Sequence, residues 1–386
     1  MSIIPYGRQD ISQSDIDAVI AVLQSDFLTQ GPIVPIFEKS VADYCSVQYA
    51  VAVNSATSAL HIACLALGAG KDDIVWTAAI TFVASANCAL YCGAMVDFVD
   101  IDPLSYNISI EHLTEKLIAA EKVGKLPKIL IPVHLCGQPC DMESIYTLSQ
   151  KYGFKIVEDA SHAVGGKYKD NPIGNCHYSE ITIFSFHPVK IITTGEGGLA
   201  LTNNEYLAKR MRLFRSHGIT RDENEMTHTS DGPWYYQQIA LGYNYRLTDI
   251  QAALGLNQMK RLDEFVERRN AIAKRYDQLL VDLPVKTPSQ HKDSYSAFHL
   301  YVIRLNLEKI GKTYSQIFEI FREMGIGVNL HYIPVYHQPY YKNLGFKLGH
   351  CSEAEQYYAE AISLPIYPNL SETQQNTVVS VLKKAI

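Results

Sequence analysis

The sequence predicts an α/β protein with a largely parallel sheet covered by helices, followed by a smaller α+β unit. Three observations predict it. Short apolar runs alternate with helical stretches between residues 73 and 212, the pattern of strands joined by crossover helices. Thr248 to Leu280 keeps helical periodicity over an unusual length without a proline, as one or two long helices leaving a large domain would. The chain has 386 residues, 47% of them apolar, enough for two domains and an extensive core. The division expected is 1–12 as an N-terminal segment, 13–250 as the large domain and 251–386 as the small one.

In chain order, Ser14-Asp15-Ile16-Asp17 opens a helix with a capping-box-like pattern, and Ile16, Val19, Ile20 and Leu23 form one apolar stripe. Phe27-Leu28-Thr29-Gln30-Gly31-Pro32 is a turn-forming loop. A helix is expected from about Thr57 to Leu67, stopping at Gly68. Strands are expected at 73–76, 95–99, 128–133, 155–158, 181–185 and 199–202. Helices are expected at 81–91, 109–120, 142–152 and 205–212. Asp222–Gly232 is polar and reads as a mobile surface loop. The small domain should hold strands at 300–305 and 327–331 and helices at 314–324 and 353–361.

Bulk composition narrows the function. A net charge of −6 lacks the basic face that general nucleic-acid binding needs. Met1–Arg8 lacks the charged start and apolar core of a secretory leader, and no window approaches the ~18 apolar residues of a membrane helix. A cytoplasmic protein with no membrane partner is expected. The 8 cysteines are dispersed. Cys88/Cys92 and Cys136/Cys140 have no matching ligand spacing beyond them, so reduced thiols are expected and no metal.

The chemistry concentrates in three places. Lys190 follows an aromatic-rich strand, Phe184-Ser185-Phe186-His187-Pro188-Val189, and precedes Thr193-Thr194-Gly195-Glu196-Gly197-Gly198. A lysine that attacks an aldehyde must shed its charge in a shielded site, and glycines let backbone pass close to a ligand. A solvated surface lysine is the competing reading. Asp159 ends an apolar strand, where a carboxylate is costly unless a cation faces it. It reads as the partner of a protonated ring nitrogen or as a plain helix cap. Asn54-Ser55-Ala56-Thr57-Ser58-Ala59 opens a helix whose free amides at Ala56 and Thr57 suit a phosphate, and also suit ordinary Ser capping. One amine, one buried acid and one anion-binding helix start, in this order, are the parts that hold pyridoxal 5'-phosphate (PLP). Ser185 could add a donor to the phosphate. His162 could meet the cofactor's phenolic oxygen or satisfy a backbone group. Phe82 could stack on the pyridine or belong to the core. Gly242-Tyr243-Asn244-Tyr245-Arg246 and Asn329-Leu330-His331-Tyr332 could each line a polar cleft or form a wet loop.

These segments, with Tyr6 and Arg215-Ser216-His217-Gly218, resemble the DegT/DnrJ/EryC1/StrS sugar aminotransferases over essentially the whole chain. The resemblance implies PLP-dependent transferase fold type I, the aspartate aminotransferase-like fold. It implies Lys190 as the Schiff-base lysine, Asp159 on the pyridine nitrogen and His162 at the ring oxygen, although many relatives have glutamine at that place. It implies Ala56, Thr57 and Ser185 on the phosphate. Asn244 would reach the neighbouring subunit's phosphate in a homodimer with shared active sites. Tyr6, Asp26, Phe27, Leu28, Thr29, Asn329, Leu330, His331 and Tyr332 would touch a nucleotide sugar. The implied reaction moves an amine from L-glutamate to C4 of a UDP-linked 4-keto-6-deoxy-N-acetylhexosamine, as in pseudaminic acid synthesis. Related acceptors of the perosamine, viosamine, bacillosamine or 4-amino-arabinose type stay open. A non-catalytic PLP-fold regulator would dispense with the lysine, which this chain keeps. A dinucleotide enzyme would need a G-x-G-x-x-G run after the first strand, which is absent.

Overall fold

The computed structural model describes residues 3–386. Seven strands form the main sheet: β1 (Tyr49–Val53), β2 (Ile74–Ala78), β3 (Met95–Val99), β4 (Ile129–Ile131), β5 (Lys155–Asp159), β6 (Ile181–Ser185) and β7 (Gly198–Thr202). Their spatial order is β1-β7-β6-β5-β4-β2-β3. Only β7 runs against the others, pairing antiparallel with both β1 and β6. The remaining neighbours are parallel, so the sheet is mixed but mostly parallel. β6 and β7 are buried at every position, as expected of strands covered on both faces. The six strands expected between residues 73 and 202 all form, within about two residues of their predicted bounds.

Helices α1 (Gln13–Leu23), α2 (Ile33–Cys45), α3 (Ala56–Ala66), α4 (Ala84–Tyr91), α5 (Ile110–Lys122), α6 (Met142–Tyr152) and α7 (Glu205–Arg215) belong to this part of the chain. The expected long helical stretch is two helices, α8 (Asp249–Met259) and α9 (Leu262–Leu280). Beyond them, Val285–Lys286, Tyr301–Leu305 and Ala361–Leu364 make a three-stranded antiparallel sheet. It packs with α10 (Tyr314–Glu323) and a C-terminal helix, Glu372–Ala385, around a separate core that includes Tyr276, Phe321 and Leu382. No helix among the described residues is long and apolar enough to cross a membrane.

Three local expectations need correction. The cap of α1 is Ser12, not Ser14: its hydroxyl accepts from the Asp15 N–H, and the Asp15 carboxylate accepts from the Ser12 N–H. The expected apolar stripe on α1 does not face the core, since Ile16, Ile20 and Leu23 are 44%, 42% and 55% exposed. The buried face carries Asp15, held by Asn257, Gln258 and Arg261, so a polar network seats α1 on α8. Gly327–His331 forms no strand. It makes a single bridge, Asn329 to Ser363, and the side chains of Asn329 and His331 turn into local hydrogen bonds instead. Helix α2, the strand Ala361–Leu364 and the C-terminal helix were not predicted.

Candidate active site

The C-terminal ends of β5 and β6, the start of α3 and the loop 329–332 converge on one cavity of about 520 Å³. Parallel α/β sheets place their sites at this edge. Of the residues singled out from sequence, Tyr6, Ala56, Thr57, Phe82, Asp159, His162, Ser185, Lys190, Asn329, Leu330, His331 and Tyr332 all line it.

Lys190 opens onto the cavity while protein surrounds its amine. Burial lowers its pKa from 10.5 to about 8, against the pull of the Asp159 charge. Asp159 is 5% exposed at the end of β5. One carboxylate oxygen accepts from the Ser85 hydroxyl (2.6 Å), the other from the Ser161 hydroxyl (2.6 Å) and amide (3.1 Å). Thr81 extends this chain to Ser85 at 2.8 Å. These bonds aim the carboxylate, and each oxygen keeps capacity for another donor.

His162 is held by the backbone. The Cys136 N–H lies 3.3 Å from Nδ1, so Nδ1 accepts and the proton of the neutral ring sits on Nε2. That nitrogen is 3.2 Å from the Tyr332 hydroxyl. Burial and the nearby Lys190 charge push the His162 pKa well below its ordinary value, which keeps the ring neutral.

The anion-binding helix start owes its position to a glycine. Ser55 caps α3 through the Ser58 amide, leaving the Ala56 and Thr57 amides without intrahelical partners. At Gly198 a Cβ would stand 2.4 Å from the Ala56 nitrogen, so only glycine lets β7 pass beneath the helix start. The value of Gly198 therefore lies in close backbone packing, whereas Gly197 is the glycine of that run that lines the cavity.

The cavity does not include Asp26, Phe27, Leu28, Thr29 or Asn244. The 26–29 loop is exposed, with Thr29 bridged to Thr248 and the Leu28 carbonyl bound by the Asp249 amide. Asn244 is exposed and bridges Ser216. Within one chain these residues are not part of the site. Sequence reading missed Ser85 and Ser161, which hold Asp159, and His299, a further lining residue. Ser85 could have been found: it lies three residues beyond Phe82 in the expected helix 81–91, and it falls on the first turn of α4. His299 carries no local signal. Among the described residues no group of three or more His, Cys, Asp or Glu is placed to hold a metal ion.

An enclosed amine with a lowered pKa, a directed carboxylate and a helix start with free amides, on a mostly parallel sheet, define a PLP-dependent transferase of fold type I. Comparison with known proteins gives the same class. A family profile for the DegT/DnrJ/EryC1/StrS aminotransferase family matches residues 9–383. The chain is 38% identical over 389 residues to the UDP-4-amino-4,6-dideoxy-N-acetyl-beta-L-altrosamine transaminase of Campylobacter jejuni serotype O:2, covering 99% of this chain and 98% of the relative. It is 39% identical over 386 residues to the spore coat polysaccharide biosynthesis protein SpsC of Bacillus subtilis, covering 99% and 97%. Among solved structures it superposes on Helicobacter pylori PseC, an aminotransferase involved in the biosynthesis of pseudoaminic acid. That match has a TM-score of 0.91 at 31% identity and covers 100% of this chain and 99% of the other. The chain belongs to the DegT/DnrJ/EryC1/StrS aminotransferase family, and it is a PLP-dependent sugar aminotransferase. The residues present fit the cofactor: the amine suits its aldehyde, the carboxylate its ring nitrogen and the two amides its phosphate.

Proposed function

We propose that the chain transfers the amino group of L-glutamate to C4 of a UDP-linked 4-keto-6-deoxy-N-acetylhexosamine, giving UDP-4-amino-4,6-dideoxy-N-acetyl-β-L-altrosamine. The observation that carries the amino-transfer chemistry is the convergence of Lys190, Asp159, His162 and the α3 start in one cavity. The acceptor is supported by the names of the Campylobacter and Helicobacter relatives. Tyr6, Leu330, His331 and Tyr332 add apolar faces with polar tips, suited to a sugar that carries a methyl in place of a hydroxyl.

PLP, when bound, supplies an aldehyde for amines and a pyridinium ring that withdraws electrons from the carbon bonded to the amine nitrogen. The remaining work falls to the chain. Lys190 Nζ would hold the cofactor at its aldehyde and, when free, would take the proton from the donor's α-carbon and carry it across the site. Its low pKa leaves a useful neutral fraction near pH 7. The Asp159 carboxylate would keep a proton on the ring nitrogen. His162 Nε2–H, which meets the Tyr332 hydroxyl in this structure, would donate to the ring oxygen with the cofactor in place, and the Cys136 amide disfavours the opposite tautomer. Ala56, Thr57 and Ser185 would hold the phosphate, and Phe82, at the cavity wall, would flank the ring. The same groups working in reverse place the amine on the sugar.

We further propose a homodimer in which Asn244 and the 26–29 loop serve the neighbouring subunit's cavity. Their exclusion from the cavity of their own chain supports this, as does the outward apolar surface of Ile16, Ile20, Leu23, Phe27, Leu28 and Ile36. An active monomer in sedimentation would contradict it. In this reading 13–250 binds the cofactor, while Tyr6 from 1–12 and His299 and residues 329–332 from 251–386 complete the cavity lining.

The test is to incubate purified protein, PLP and glutamate with a panel of UDP- and dTDP-4-keto sugars and identify the products by NMR. The L-arabino UDP sugar should show the higher kcat/KM, by tens-fold or more over its D-xylo epimer. A better D-xylo or dTDP substrate would overturn the acceptor and leave the aminotransferase class standing.

A further inference from the structure

Three buried histidines line the cavity with Lys190: His162, His299 and His331. Two are fully engaged. His162 has Cys136 on one nitrogen and Tyr332 on the other. His331 has Ser363 at 2.8 Å and Asn329 at 3.4 Å. His299 is different: its Nδ1 is buried without a partner, and Nε2 is the nitrogen left to the cavity. A proton on Nδ1 would be sealed in unpaired, so the favoured neutral tautomer carries it on Nε2.

The placement of this ring is firmly built. Arg269, itself buried, donates to the carbonyls of Phe298 (3.1 Å) and His299 (3.2 Å). The Leu300 amide donates to the Cys136 carbonyl at 3.3 Å. At Gly137 a Cβ would stand 3.1 Å from the His299 nitrogen, so the turn beside His162 presses on this backbone. The ring itself lies 4.4 Å from that of His162. No ligand can reach the sealed Nδ1, but Nε2 has no protein partner, so on this firmly placed ring it is the atom open to a ligand in the cavity.

Charge says which ligand. Among the described residues, Lys190 is the one lysine or arginine in the cavity lining, which also carries the carboxylates Asp159 and Glu196. An amino acid donor brings carboxylate into a space where this chain offers no guanidinium. We propose that His299 Nε2–H donates a hydrogen bond to a carboxylate of the amino donor, so that His299 governs donor binding rather than sugar binding. This rests on the amino-transfer reading above, with glutamate as donor.

The experiment compares holoenzyme carrying His299→Leu, which removes the donor, with His299→Gln, whose amide reaches close to the position of Nε2. Calorimetry with glutarate, a dicarboxylate without an amine, reads binding alone. Absorbance during conversion of the pyridoxal to the pyridoxamine form by glutamate reads the first half-reaction. His299→Leu should weaken glutarate binding and raise the glutamate concentration for half-maximal conversion by about tenfold to a hundredfold, as for a lost hydrogen bond to a charged group. His299→Gln should stay within about threefold, by retaining the hydrogen bond. UDP binding should be unchanged in both. If either variant fails to fold, wild-type protein labelled with [15N]histidine still decides: glutarate should move an imidazole Nε2 resonance. No such shift, no glutarate binding to wild-type, or equal affinity in wild-type and both variants overturns the proposal. Wild-type holoenzyme that ignores glutamate but accepts another amine overturns the donor reading itself.

Discussion

Glu158 and Asp159 are adjacent buried carboxylates on one strand, and their surroundings differ completely. Alternation sends them to opposite faces of β5. Glu158 meets a closed set of donors: His134 at 2.7 Å, Ser179 at 2.5 Å and Thr182 at 3.0 Å. His134 is fixed in turn by the Cys140 amide on its other nitrogen. Burial works against the charge on Glu158, but His134 and the two hydroxyls outweigh it and hold its carboxyl below the usual range. Asp159 faces the cavity instead, steadied by Ser85 and Ser161 and open to a further donor. A buried carboxylate with its partners complete maintains the fold, whereas one left open to a cavity is free for chemistry.

The largest effect should come from breaking the open side. Asp159→Ala and Asp159→Asn should each lose at least about a hundredfold in turnover, as when a key electrostatic group is removed, with thermal stability changed little. Near-normal turnover in both would reduce Asp159 to a turn former. Breaking the closed side should do the reverse. Glu158→Ala strands His134, Ser179 and Thr182, and should cost roughly 3 kcal/mol of stability by denaturant melts, with turnover of the folded protein within a few-fold. Because the folded carboxyl of Glu158 is held below its ordinary value, its contribution is present at neutral pH and is lost as pH falls through the folded value. A Glu158→Ala protein as stable as wild type would erase the contrast.

The smallest effect sharpens it. Attack on the cofactor aldehyde needs neutral Lys190, so capture of PLP by cofactor-free protein should quicken about tenfold per pH unit below pH 8 and level off above it. Asp159 raises the Lys190 pKa, so Asp159→Asn should move the plateau to lower pH, whereas Glu158→Ala should leave it in place. A profile set near the ordinary lysine value would show that the amine is not desolvated.

What could be read in advance follows from where the information lies. The strands between 73 and 202 and α3 are contiguous in sequence, each with its own periodicity or cap, and they form as expected, bringing Asp159 and Lys190 to one cavity. The stripe on α1 misled because apolar spacing identifies a face without saying what covers it. Asp15 is buried only because Asn257 and Gln258 arrive from α8 and Arg261 from the turn after it. His299 was invisible for the same kind of reason: a histidine at the start of a small-domain strand acquires meaning only when β5 and the Cys136 turn are brought against it. The 26–29 loop and Asn244 were assigned through resemblance, and in a single chain they stand outside the cavity.

The contact of Gly198 with Ser55 and Ala56 joins positions about 140 residues apart. Helix α3 can form locally, with its own cap, long before β7 has been synthesised. The cradle beneath its first turn cannot, because β7 is inserted between β1 and β6 and reaches them from later in the chain. Non-local closures of this kind come late in folding. Competence for the phosphate is thus a property of the closed sheet rather than of the helix, and a fragment ending before residue 198 would keep the helix while lacking its cradle.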